Sequence, residues 1–227
     1  FNCYCITIKL AAAAGGTTII PQLTSIENIQ VTNETAVEGL AIANDDLLIV
    51  STAGLTGIES LSNISGNDGV TFNDLANPVD ITIKSALNTT TVNFAATALT
   101  GASDAITLTL SGTNSTTVAL TDDSTATTSA LESLTINSIS VANTLADLQI
   151  DGVLTPSVTV TGSTALTITA ALDANVTTVD ASANSGGLTL TNAPGATVLS
   201  ITGSSGADTL TAIGAGTTTL SMGAGND

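Results

Sequence analysis

The chain has no histidine and no tryptophan, and it sets only two basic residues, Lys9 and Lys84, against nineteen acidic ones, for a net charge of −17. Each of these shortages removes a class of function. Without histidine there is no nucleophile–base pair of the usual hydrolase kind, and the carboxylates form no dyad that their spacing supports, so a non-enzymatic chain is expected. A surface this acidic repels nucleic acid and anionic membranes and attracts divalent cations. Aromatic residues make up only 2%, so a core must be built from Val, Ile, Leu, Ala and Thr, which suit thin stacked layers of strand. No run approaches the roughly 20 apolar residues of a membrane-spanning helix, and Phe1 to Leu10 lacks the basic leader of a signal peptide. The two cysteines, Cys3 and Cys5, would face the same side of a strand and make a poor mutual disulfide. They are expected to be small buried hydrophobes, with an intermolecular link or a trapped metal as the alternative.

What is present, over 227 residues with 43% apolar content, is alternation of period two. Val79-Asp-Ile-Thr-Ile-Lys84, Thr91-Val-Asn-Phe-Ala95, Ala105-Ile-Thr-Leu-Thr-Leu110 and Thr117-Val-Ala-Leu-Thr121 each read as half-buried strands. In the second half, Val158, Leu166, Val176, Leu188, Val198, Leu210 and Leu220 recur at intervals of 8, 10, 12, 10, 12 and 10 with no convincing helix between them. Two such strands per coil make a turn of about 20 residues, the scale of a parallel β-solenoid. An antiparallel sandwich predicts similar spacing; the way the series runs on into the tail favours the solenoid. The expected fold class is therefore all-β, a solenoid or β-roll-like stack of short strands. Residues 1–16 are read as an N-terminal strand and small-residue hinge. This strand is expected to be an ordinary first strand, with donation to a neighbouring subunit's sheet as the alternative. Residues 17–202 form the body. Asn44-Asp45-Asp46 and Gly66-Asn67-Asp68 are acidic turns whose oxygens could help hold calcium, although Asn and Asp are ordinary turn residues. The Asn-x-Ser/Thr triplets at Asn33, Asn63, Asn88, Asn114 and Asn175 are expected by chance here and are assigned no role.

The tail, 203–227, carries the one pattern specific enough to name chemistry. Gly203-Ser204-Ser205-Gly206-Ala207-Asp208-Thr209-Leu210-Thr211 fits the nonapeptide GGxGxDxUx of calcium-binding β-rolls except that Ser204 replaces a glycine. Gly214, Gly216, Thr218 and Leu220 repeat the frame with Thr in the Asp place, and Gly223, Gly225, Asn226 and Asp227 begin a third copy. In such a repeat the glycines make a tight turn, turn carbonyls and the Asp carboxylate face a common space, and the apolar residue points into the core. Asp208 and Asp227, 19 residues apart, would stack on one side. The metal ligands expected are Asp208 and Asp227 with Gly203, Ser205, Gly206, Gly223, Gly225 and Asn226, for Ca2+, while Leu210 and Leu220 are expected to point inward.

On these residues the tail resembles the haemolysin-type RTX calcium repeats of proteins exported by bacterial type I secretion. The body, with Val176-Thr-Thr-Val-Asp-Ala-Ser182, Gly187-Leu-Thr-Leu-Thr191 and the recurring Ile-Glu-x-Ile/Leu pieces, is similar to RTX-bearing surface-layer proteins. The resemblance implies a non-enzymatic extracellular structural protein at the bacterial cell surface, a subunit of a calcium-stabilised surface layer whose partners are copies of itself and cell-surface polysaccharide. The alternatives are a filament subunit and the stalk or adhesin segment of a large RTX protein. With no initiating Met and a third repeat that stops at its Asp, the ends are expected to be the edges of a fragment.

Overall fold

The structure, a computed structural model, describes residues 5–10, 16–21, 25–33, 47–123, 131–151, 157–191, 198–211 and 217–227. Cys3, the hinge residues 11–15, the turn Asn44-Asp45-Asp46, and Gly214 and Gly216 lie outside these. Among the described residues there are nineteen strands and no helix. In chain order they are β1 (Cys5–Leu10), β2 (Thr17–Ile19), β3 (Asn28–Asn33), β4 (Leu48–Ser51), β5 (Ser60–Ile64), β6 (Val70–Leu75), β7 (Asp80–Lys84), β8 (Thr90–Phe94), β9 (Ala105–Ser111) and β10 (Asn114–Asp122). They continue as β11 (Ser133–Ile139), β12 (Asn143–Ile150), β13 (Ser157–Gly162), β14 (Leu166–Ala171), β15 (Thr178–Asn184), β16 (Leu188–Thr191), β17 (Val198–Thr202), β18 (Thr209–Thr211) and β19 (Thr217–Ser221).

The chain alternates between two sheets. Odd-numbered strands stack in numerical order in one, even-numbered strands in the other, and every pairing is parallel. That excludes the antiparallel sandwich. Each coil runs along one sheet, turns a corner, returns along the other, and turns again to lie on the coil before it, so the facing sheet serves as the crossover that parallel pairing requires.

Period-two alternation places one face of each strand between the sheets, and the register lines these faces up into columns. Ile6, Ile29, Leu61, Ile81, Leu108, Ile136 and Val160 are successive partners in the odd sheet. Ile19, Val50, Phe72, Val92, Leu120 and Ile150 are successive partners in the even sheet. All but the first member of each column are buried. A thin core of small branched side chains thus runs the length of the stack, each coil covering the apolar face of the next. The parity of β1 puts Ile6 and Ile8 against that core and leaves Cys5 on the outer face with Thr7 and Lys9. Cys5 is exposed, which corrects the expectation of a buried cysteine. β1 itself pairs along six residues with β3 of its own chain, as an ordinary first strand does.

The corner leading from an odd strand to the next even one has a recurring form. Ser65, Ser85, Gly112 and Ser140, each just past an odd strand, adopt left-handed backbone with φ of 55°, 52°, 70° and 73°. A single residue there turns the chain sharply out of one sheet toward the other.

Candidate functional site

This same corner carries a column of buried polar side chains. Asn33, Asn63, Asp68, Thr90, Thr113, Thr116, Ser138, Asn143, Asn184, Ser204 and Asp208 are all buried, and they lie where odd strands end and even strands begin. The physical reason is local. At a corner, backbone N–H and C=O groups leave the sheet ladder, and buried ones need other partners. Asn184 shows the device. Its Oδ1 accepts from the N–H groups of Gly186 and Gly187 at 2.9 and 3.1 Å, and its Nδ2 donates to the carbonyls of Thr161 and Thr164, both at 3.1 Å. One amide side chain therefore closes its own turn and ties it to the coil before. Asn143 does the same elsewhere: its Oδ1 accepts from the N–H and hydroxyl of Thr113 at 3.0 and 3.2 Å, and its Nδ2 donates to Ser138 Oγ at 2.9 Å.

At the C-terminal end of the column the asparagine gives way to aspartate. The Asp208 carboxylate, 3% exposed, accepts at Oδ1 from Leu188 N–H of the preceding coil at 2.7 Å and from Ser204 Oγ–H at 2.8 Å. At Oδ2 it accepts from Ser204 N–H at 2.8 Å. Ser204, the departure from the GGxGxDxUx pattern, thus supplies two of the three donors, and its Oγ also accepts from Gly206 N–H at 2.9 Å. One coil on, Asp227 Oδ1 accepts from Asp208 N–H at 3.0 Å, the same relation that Asp208 bears to Leu188.

The residues read as ligands are brought together in two stacked turns, 203–208 and 223–227. Gly203 N–H donates to Ser221 O at 2.7 Å, Ala224 N–H to Ser204 O at 3.1 Å, and Ser205 N–H to Asn184 O at 3.0 Å. The turns lie so close that side chains are excluded. A β-carbon on Gly223, where φ is +86°, would sit 2.1 Å from Ser204 O, and one on Gly206 would sit 2.6 Å from Gly187 N. Gly203 is buried in this stack, while Ser205, Gly223, Gly225, Asn226 and Asp227 are exposed along it. Leu210 packs against the core; Leu220 shares the inward column with Ile201 but is 38% exposed, because β19 is the last strand of its sheet. A carboxylate has about four lone-pair positions. Three at Asp208 face N–H or O–H donors, so a cation held there would share the carboxylate with the turn, and the exposed Asp227 is the more open of the two. Among the described residues no three acidic, histidine or cysteine side chains gather closely enough to hold a metal ion.

At the opposite corner, a cleft of about 640 Å³ is lined by Thr121, Asp147, Asp151, Asp173 and Asn175 among others. Asp173 Oδ2 accepts from Ile150 N–H at 2.7 Å and Asn175 Nδ2 donates to Ile150 O at 3.2 Å, so these side chains secure that corner as the asparagines secure the first. On the outer face of β15 the N–H of Ser182, at 2.9 Å, and its hydroxyl hold the Asp180 carboxyl below the usual carboxylate range, against a weaker opposing push from burial.

The buried asparagines are what the sequence reading missed. In the sequence Asn33 and Asn63 stand out only as triplet positions, yet both side chains are buried. A signal was there in Asn184-Ser-Gly-Gly187, an amide at a strand's end followed by glycines whose N–H groups it can take. No protein-family model, curated protein or solved structure matches the chain. The fold itself defines a class, an all-β stack of short strands in two parallel sheets with the form of a β-solenoid. Among the described residues no helix is long and apolar enough to cross a membrane.

Proposed function

We propose that this chain is a non-enzymatic extracellular structural protein, a subunit of a calcium-stabilised bacterial surface layer that assembles from copies of itself and binds cell-surface polysaccharide. The observation that carries this reading is the continuity of the stack into the glycine turns: Asp227 meets Asp208 at a step of 19 residues, one more than the 18 of two nonapeptide repeats. Calcium would be held by Asp208 and Asp227 with oxygens of Gly203, Ser205, Gly206, Gly223, Gly225 and Asn226. Its role would be to neutralise stacked carboxylates in a chain of net charge −17, coupling folding to the calcium concentration outside a cell. A linear stack is equally suited to a filament or to the stalk of an RTX adhesin, with ten odd strands at about 4.8 Å spacing giving roughly 43 Å of length.

Electron microscopy of purified protein with millimolar calcium, before and after chelation, tests the proposal. A two-dimensional lattice that disperses on chelation is expected. Fibres would favour the filament reading and a dispersed monomer the adhesin. An assembly unchanged by chelator would rule out the calcium role.

A further inference from the structure

Ser204 stands four residues before Asp208, where the calcium pattern has a glycine, and the residue four before Asp227 is a glycine, Gly223. The two turns are stacked, with Ala224 N–H donating to Ser204 O at 3.1 Å and Asp208 N–H to Asp227 Oδ1 at 3.0 Å. One aspartate therefore has a hydroxyl at this place and the other has none. The stack enforces the difference, because a β-carbon on Gly223 would stand 2.1 Å from Ser204 O.

Ser204 is 2% exposed, and its hydroxyl is engaged on both sides. It donates to Asp208 Oδ1 at 2.8 Å and accepts from Gly206 N–H at 2.9 Å. Accepting from the N–H two residues ahead is what Asn184 Oδ1 does in the coil before, taking Gly186 N–H at 2.9 Å. The device that closes the upstream corner thus continues into the glycine turns, with a serine that passes a hydrogen bond on to the aspartate. A buried carboxylate needs a cation or hydrogen-bond donors. Here Leu188 N–H, Ser204 N–H and Ser204 Oγ–H supply the donors, and the chain itself closes the turn.

We propose that Ser204 sets the cation affinity of the Asp208 turn: its hydroxyl fills a carboxylate position that calcium would take, so the turn closes without metal and binds calcium more weakly than it would with glycine. This rests on the calcium reading of the tail. A cation entering at Asp208 Oδ1 must displace the Ser204 hydroxyl, and one hydrogen bond to a charged group corresponds to about tenfold to a hundredfold in affinity.

The test is calcium titration calorimetry of the full chain as wild type, Ser204→Gly, Ser204→Ala and the double variant Ser204→Gly/Asp208→Asn, with urea midpoints measured in chelator and in calcium. Ser204→Gly is expected to bind one Ca2+ about tenfold to a hundredfold more tightly than the wild-type turn, and the double variant to lose that site. Its urea midpoint should lie below that of the wild type in chelator, where the carboxylate has lost a donor, and rise more on adding calcium. Ser204→Ala keeps the β-carbon and should show the same gain, and it decides the matter if Ser204→Gly does not fold without calcium. Wild-type binding with unchanged affinity in the variants would overturn the role of Ser204 and leave the calcium reading standing. A lowered affinity would overturn it too, by making the hydroxyl a ligand. Calcium taken up by Ser204→Gly but not by the wild type would uphold the role of Ser204 and remove calcium from the native tail. No calcium bound by any of the four would overturn both.

Discussion

Asn184 makes four hydrogen bonds with a side chain that has two donors and one oxygen acceptor, so it is used to capacity. Truncating it strands two N–H groups and two carbonyls, each of which costs about 1–3 kcal/mol when buried without a partner. Asn184→Ala is therefore expected to destabilise the protein by at least about 3 kcal/mol, read as a lowered urea midpoint. Asn137, on the outer face of β11, takes only a long 3.4 Å contact from Thr161 Oγ1, and Asn137→Ala should stay within about 0.5 kcal/mol. Two asparagines at strand positions thus differ several-fold in worth, and only what surrounds them tells them apart. Asp208 does for its turn what Asn184 does for the one before. A charged acceptor strengthens each bond it makes, which explains how a carboxylate can sit buried at the last closed turn of the column.

Strand β11 shows the alternation at work. Leu134 and Ile136 are buried between the sheets, while Ser133, Thr135 and Asn137 between them are partly open to water. Ser138 continues the inward parity but is polar, because at that point the strand has reached the corner and its hydroxyl meets Asn143 Nδ2. The inward face therefore changes from apolar to polar within one strand, as the demand changes from filling a core to satisfying a turn. Leu134 contacts partners in the coils on either side, Ile106 and Val158 in register. Leu134→Ala should cost about 2–5 kcal/mol by leaving a cavity, whereas Thr135→Val on the outer face should cost less than about 1 kcal/mol. Chemical denaturation of both variants measures the contrast.

For the whole molecule, each coil touches chiefly the coils before and after it, so stability is close to a sum of coil and nearest-neighbour contributions. Among the described strands β1 pairs only with β3, and removing residues 1–16 uncovers that end of the described core without disturbing any later register. The shortened chain should fold with an unchanged far-UV circular dichroism signal per residue and melt close to the full-length temperature. Collapse of the remaining stack would show instead that the first coil nucleates the rest.

Period-two alternation is a property of neighbouring residues, so the sequence by itself determined that the chain is built of half-buried strands with the apolar residues of the alternation on the inward face, and that the series runs on into the glycine turns. It did not determine which strands pair, because Thr, Val and Ile serve parallel and antiparallel ladders alike. It placed Cys5 wrongly, since small residues are buried by habit but the inward parity of Ile6 and Ile8 put Cys5 outside. Only the tertiary structure decided the parallel register, and with it the corner where Asn33, Asn63, Asn143, Asn184 and Asp208 fall into one column. Those residues come from different coils, and an amide at a strand's end becomes a buried tie only when the turns of neighbouring coils close over it.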